Sequence, residues 1–394
     1  MYIYCVQKYH NKLISGQKKV NFTKKIDFCC QSADSLQFSI IFACQSNKSM
    51  VEKQSAVLLI FTGGTISMSE NPATGALRPI DFERLQELMP ELKQTGIHIK
   101  SIPFLPLIDS SDVHPVTWEK IALCIEENYA DFDGFVVLHG TDTMAYSASA
   151  LSFMLQNLSK PVIFTGAQLP IGMMRSDAKE NLLTAIEIAA AKEHGQAIVP
   201  EVCIFFEDTL FRGNRTTKKN AEHFNAFHSY NYPPLAKAGV HIKYFRNYIH
   251  YPEPNARLRL RLNTDPNIVV LKLFPGISEI VVQSILNTPG LKAVVLESFG
   301  AGNAPRRIWL HEALKSANEK GIIIVNKSQC STGTVEMGRY ETSLNLLNAG
   351  VISAYDSTTE ALVTKLMYLL GEYSTVEEVK KWLAVSISGE MTLN

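Results

Sequence analysis

From Ser55 onward the chain alternates short apolar runs with longer amphipathic ones. The short runs are rich in Val, Ile and Leu and predict strands at 56–61, 135–138, 161–164, 202–206, 268–273, 292–296 and 321–325. Between most of them the apolar positions recur with a helical period, at 81–89, 117–129, 145–156, 179–193, 279–287, 311–318 and 359–370. The strands are nearly unbroken apolar runs, so both of their faces should be covered, as in a parallel sheet. A series of this kind predicts an α/β fold with right-handed crossovers.

The alternation is interrupted once. Pro252, Pro254 and Pro266 flank a polar stretch at 255–264 that carries no strand–helix signal, and Pro233-Pro234 punctuates the segment before it. Two domains are therefore expected. A larger amino-terminal one over 55–250 holds a parallel-rich sheet flanked by helices, 251–267 is a linker, and a smaller α/β domain covers 268–394. The 394 residues suffice for two such cores. Residues 1–54 show neither period and read as a disordered extension or a non-native start, with Met50 near the natural beginning.

Composition narrows the partners. Hydrophobic residues make up 46% and charged residues 19%, the balance of a soluble globular protein. Basic and acidic side chains number 38 each, which argues against nucleic acid as the main partner, because phosphate binding leaves an excess of Lys and Arg. No run is long enough to span a membrane. The apolar run 36–44 lies downstream of Lys18, Lys19, Lys24 and Lys25, in the outline of a signal peptide. Gln37 and Ser39 interrupt it, however, and Asp27 and Asp34 intervene. The seven cysteines are odd in number and scattered, which suits a reducing, cytoplasmic compartment. None has metal-ligand spacing, and neither metal nor cofactor is expected.

Two polar words end apolar runs: Thr62-Gly63-Gly64-Thr65 after 57–61, and His139-Gly140-Thr141-Asp142-Thr143 after 135–138. Open α/β sheets build their sites at the carboxyl ends of strands. The paired glycines let the backbone turn sharply, and N–H groups in such a turn can form an anion nest or oxyanion hole. Either threonine becomes a nucleophile if its proton is taken. The plainer alternative is a capped βα turn or a phosphate nest, although GxGxxG and Walker spacings are absent. Asp142 could receive an ammonium group, or it and Thr143 could merely cap the next helix. His139 reads as a hydrogen-bonded structural histidine more readily than as a base. Asp109-Ser110-Ser111-Asp112, Thr165-Gly166-Ala167-Gln168 and Arg212-Gly213-Asn214-Arg215-Thr216-Thr217-Lys218 are candidates for the same end of the sheet. Together these words describe a small polar pocket with ammonium- and carboxylate-binding groups and two hydroxyl nucleophile candidates.

Thr-Gly-Gly-Thr-Ile at 62–66, His-Gly-Thr-Asp-Thr-Met at 139–144 and the distal Thr217-Lys218 resemble the asparaginase/glutaminase family. Asp109-Ser110-Ser111-Asp112 and the 212–218 segment resemble its cytoplasmic type I branch. The similarity runs from about Ala56 to the carboxyl terminus. It implies hydrolysis of L-asparagine to L-aspartate and ammonia, weak action on L-glutamine, and assembly as a homodimer or homotetramer. It also assigns roles. Thr65 corresponds to the primary nucleophile, and Thr141, Asp142 and Lys218 to a second catalytic group. Ser110, Ser111, Thr141 and Asp142 correspond to substrate-binding positions. Asn303, in Gly302-Asn303-Ala304-Pro305, corresponds to a contact that completes a neighbouring subunit's site.

A neutral Lys218 could draw off a hydroxyl proton, but a nearby Asp142 favours the charged form. Either water mediates the transfer, or Asp142 is occupied mainly by the substrate's ammonium. Two departures from the family pattern stand out. The loop Glu70-Asn71-Pro72-Ala73-Thr74-Gly75-Ala76-Leu77 reads as a lid yet lacks the tyrosine that many members place beside the nucleophile. Glu297 stands where some cytoplasmic members carry an arginine of an allosteric asparagine site, which speaks against that control here. Two other readings compete. The asparaginase-like subunit of a glutamyl-tRNA amidotransferase shares these motifs but carries a folded amino-terminal extension, for which residues 1–50 are too short and patternless. A non-catalytic amino-acid sensor would suit the missing tyrosine but would need no nucleophile.

Overall fold

The larger sheet of the computed structural model, which describes residues 54–70, 77–79, 82–338 and 341–393, has eight strands. Its parallel part consists of β1 (Ala56–Gly63), β2 (His98–Ile108), β3 (Gly134–Leu138), β4 (Val162–Thr165) and β5 (Val202–Phe206). These lie in the order β2-β1-β3-β4-β5. Beyond β5 the sheet turns antiparallel through β6 (Thr209–Arg212). The small hairpin β7 (Thr217–Lys218) and β8 (Phe227–His228) then leaves the sheet. β9 (Ala236–Lys237) and β10 (Lys243–Tyr244) complete its edge. The extension expected at 1–54 lies outside the described residues except for Gln54, and so does most of the lid expected at 70–77.

The apolar runs sort by parity. Leu58 and Ile60, Phe135 and Val137, and Val162 and Phe164 face one cluster with helices α2 (Pro115–Glu127) and α3 (Met144–Met154). Val57, Leu59 and Phe61, Val136 and Leu138, and Ile163 face the other, with α1 (Phe82–Leu88) and α4 (Ala178–Ala190). Successive strand side chains point to opposite faces, so a run apolar at every position needs a layer on each side. Edge strand β2 is the exception, with a mostly half-exposed alternation that includes Pro103 and Pro106.

The smaller sheet is wholly parallel, β11 (Ile268–Lys272), β12 (Ala293–Ser298), β13 (Ile323–Ser328) and β14 (Ile352–Ser353) in that order. Helices α5 (Glu279–Leu286), α6 (Ile308–Glu319) and α7 (Glu341–Asn348) pack on one face. On the other face lie α8 (Thr359–Glu372) and α9 (Val376–Leu383). The two sheets meet through α3 and α8, where the fully buried Phe153 enters the second core and stacks on Tyr368 at 6.0 Å between centroids.

Two predicted helix ends shift for local reasons. The helix expected over 145–156 ends at Met154, because Leu155–Gln156 pairs with Arg259–Leu260. The stretch expected to link the halves thus contributes a strand. The helix expected over 179–193 stops at Ala190, and a tight hairpin follows whose turn residues His194 and Gly195 both have positive φ. Strands β1 and β3 begin where expected or one residue earlier, and β1 runs on through Gly63.

Candidate active site

The two polar words come together because four segments pack on one another where the parallel strands end. The β1–β2 register shifts between Phe61 and Gly63, and Gly63 and Gly64 take φ of 141° and 82°. A Cβ on Gly64 would sit inside van der Waals contact of the Gly140 backbone, and one on Gly140 would strike the Ser110 hydroxyl. Bare backbone at both positions lets the first and second words touch, with Ser110 closing on them from the end of β2. The Thr62 hydroxyl ties the first word to the second strand by donating to Leu138 O at 2.8 Å. Thr65 opens a single 3-10 turn directly after Gly64 and is half-buried.

Neither Asp142 nor Thr143 caps α3 through a hydrogen bond at its N-cap, so the bland alternative for this word fails. Thr143 instead donates to Ser110 O at 2.6 Å. Asp142 accepts from Lys218 Nζ at 2.6 Å, and the same ammonium donates to Thr141 Oγ1 at 2.8 Å. The Thr141 hydroxyl in turn donates to Gln168 Oε1 at 3.3 Å. The Lys218 side chain is 17% exposed and the Asp142 side chain 65%, so the lysine is lodged while the carboxylate faces outward, where an incoming ammonium can reach it. Ser111 is exposed, and both its N–H and its hydroxyl bond Asp109 Oδ1. The backbone N–H and then the hydroxyl of Ser111 lower the Asp109 pKa.

His139 is structural. It is fully buried, and burial depresses its pKa to about 4, so at neutral pH the ring is uncharged. Trp118 Nε1 donates to Ser147 Oγ at 3.0 Å, and Ser147 Oγ lies 2.9 Å from His139 Nε2. His139 Nδ1 lies 2.7 Å from Gly140 O. A relay from Trp118 through Ser147 assigns the ring proton to Nδ1, directed at the carbonyl of the glycine on which Gly64 rests.

Asn303 sits on the other sheet, in the turn after β12, where its backbone exchanges bonds with Phe299. One supporting residue escaped the sequence reading. Asp177 precedes α4 and has the look of a cap, but its carboxylate makes no cap bond and turns back to accept Gln168 N and Leu169 N. Asn181 fastens the same loop by donating to Gly166 O and to Asp177. Only the cap position itself gave a signal, and that signal pointed elsewhere. Among the described residues no three His, Cys, Asp or Glu side chains converge as a metal set, and no helix is long and apolar enough to cross a membrane.

Hydroxyls, a lysine and a carboxylate gather beyond the strand ends of a two-sheet α/β protein, the kinds of group that hydrolysis of an amide calls on. The chain belongs to the asparaginase family. The model described as asparaginase, N-terminal, matches residues 56–250, and that of the glutaminase/asparaginase C-terminal domain matches 267–383. L-asparaginase 1 of Escherichia coli K12 is 43% identical over 346 residues, 86% of this chain and 99% of that protein. The crystal structure of L-asparaginase I from Vibrio cholerae is similar at a TM-score of 0.78 and 42% identity, covering 86% of this chain and all of that one. The L-asparaginase structure from Thermococcus kodakarensis also gives 0.78, at 34% identity and the same coverage.

Proposed function

We infer that this protein hydrolyses L-asparagine to L-aspartate and ammonia, with Thr65 as the nucleophile. The observation that carries the reading is the Lys218–Thr141–Asp142 cluster, bound at 2.8 and 2.6 Å beside the glycine contact that brings Thr65 to the same end of the sheet. A protein that only bound an amino acid would have no need of a lysine lodged against a hydroxyl.

The Asp142 carboxylate receives the substrate's α-ammonium, and Ser110 and Ser111 receive its α-carboxylate. Thr65 Oγ attacks the side-chain amide carbon, and the oxyanion that forms is stabilised by backbone N–H groups of the glycine turn. The hydroxyl proton moves by way of Thr141 and Lys218 to the departing nitrogen, the C–N bond breaks and ammonia leaves. Water then opens the acyl-threonine ester and frees aspartate. While Asp142 and Lys218 are paired, the lysine donates and cannot act as a base. Binding of the substrate's ammonium at Asp142 is what loosens that pair, so turnover is coupled to recognition of an α-amino acid.

The same reading takes the protein as a cytoplasmic homodimer or homotetramer in which Asn303 completes a neighbouring site. Free cysteines at 124, 203 and 330 suit a reducing compartment. Ile280 on α5 and Ile308 on α6, 79% and 76% exposed, offer apolar surface for a second copy. Steady-state ammonia release from L-asparagine and L-glutamine tests the activity. Turnover of asparagine well above glutamine is expected, whereas calorimetric binding of asparagine without any ammonia would identify a sensor instead.

A further inference from the structure

Lys218 stands on a two-residue strand whose ladder, Thr217 with His228 and Lys218 with Phe227, is too short to fix it alone. The residues leading up to it are each held elsewhere. Arg212 forms a buried two-pronged pair with Glu201 at 2.6 and 3.0 Å. Asn214 Nδ2 donates to Ser388 O at 2.9 Å, and Thr217 donates to the buried Glu360 of α8. Arg215 is 2% exposed: Nε donates to Gly389 O at 2.7 Å, Nη2 donates to Thr392 Oγ1 at 2.9 Å, and Nη1 lies 2.9 Å from Asp356 Oδ1.

Asn214 and Arg215, joined by Arg212 Nη1 on Gly389 O at 3.4 Å, all close on one strap, residues 386–392. The strap carries its own lock. Glu390, with no exposed surface, pairs with the buried Lys365 at 2.7 Å and accepts Ile387 N and Ser388 N. Gly389 has φ 75°, and any side chain there would collide with the Arg212 guanidinium. Thr392 N donates to Asp356 at 2.7 Å, so the carboxylate that faces Arg215 also fixes the strap's far end.

We propose that Arg215, through its grip on the carboxyl-terminal strap, is a positioning residue that sets where Lys218 meets Thr141 and Asp142. A lysine has a flexible four-carbon stem, so its aim depends on how firmly the backbone beneath it is held. The planar guanidinium donates from Nε and Nη2 to two acceptors at fixed angles while Nη1 pairs in charge with the Asp356 carboxylate, and an ammonium cannot reproduce that fork. The inference rests on the catalytic reading of Lys218 given above.

The test uses the full chain, with Arg215→Lys and Thr392→Val. Two readouts are taken: kcat and KM on L-asparagine, and the rate at which an amine-selective acylating reagent labels Lys218 and Lys365, followed by peptide mass spectrometry. Arg215→Lys should lower kcat by roughly tenfold or more, with KM changed by less than about threefold, since small misplacements of a catalytic group cost rate before binding. Lys218 should be labelled faster, with Lys365 unchanged. Thr392→Val, which removes one of the two hydrogen-bond acceptors, should move both readouts in the same direction by less, and it carries the test if Arg215→Lys does not fold. Unchanged kcat or unchanged Lys218 labelling overturns the proposal. So does faster labelling of Lys365 alongside Lys218, the sign of a strap loosened as a whole. A Lys218→Met variant with wild-type kcat would remove the catalytic reading while leaving the labelling result standing.

Discussion

His139 offers a sharp electrostatic prediction because its burial works against protonation. The folded-state pKa is about 4, below the ordinary histidine value of 6.5. An unfolded chain therefore takes up a proton at this residue as pH falls through about 6.5, while the folded chain holds off until about pH 4. Stability is thus fully present above the unfolded value and is lost between the two, to a limit of about 3 kcal/mol. At pH 5 the loss attributable to this ring is about 2 kcal/mol relative to pH 7. Chemical denaturation at fixed protein concentration, at pH 7 and pH 5, measures it once wild type is compared with His139→Asn. The variant is expected to be less stable at both pH values, since it breaks the Trp118–Ser147–His139 chain, but to lose about 2 kcal/mol less between them. An identical pH-dependent loss in both proteins would refute the assignment of His139 as a neutral, buried support.

Two further substitutions probe the packing that assembles the site. Gly140→Ala places a methyl against the Ser110 hydroxyl and near Gly64; it should raise KM for L-asparagine severalfold, and Gly140→Ala with Ser110→Gly should not restore binding, because the serine itself is required. A wild-type KM in Gly140→Ala would show that the two words need not touch. Phe153→Ala empties a fully buried position shared by α3 and the second core, and should cost about 3–5 kcal/mol in a denaturation titration. A loss below about 1 kcal/mol would mean that this junction is not a core contact.

The central strands were readable because both of their faces are apolar, a pattern that no loop or amphipathic helix produces. Strand β2 was not, since it lies at an edge where Pro103 and Pro106 interrupt the pattern and half its side chains face water. Strands β9 and β10 are two residues long, too short for any period to show. The site words were visible as hydroxyl-rich turns, yet their roles were not. Asp142 and Thr143 have the composition of a cap, and only the partners Lys218 and Ser110, which lie far off in sequence, decide against it. Asp177 likewise stands at a cap position, but its carboxylate turns back to the backbone of residues 168 and 169. The grip of Arg215 on residues 389 and 392 spans 174 and 177 residues of sequence, beyond the reach of local pattern.

The account turns on one hydroxyl. Ammonia release from L-asparagine by Thr65→Ala, beside wild type and with circular dichroism to confirm the fold, addresses it directly. The expected result is a folded variant in which turnover has fallen by at least about a thousandfold, in keeping with loss of a covalent nucleophile. Turnover close to wild type in a folded Thr65→Ala protein would contradict the assignment and hand the nucleophile's role to another group of the same pocket.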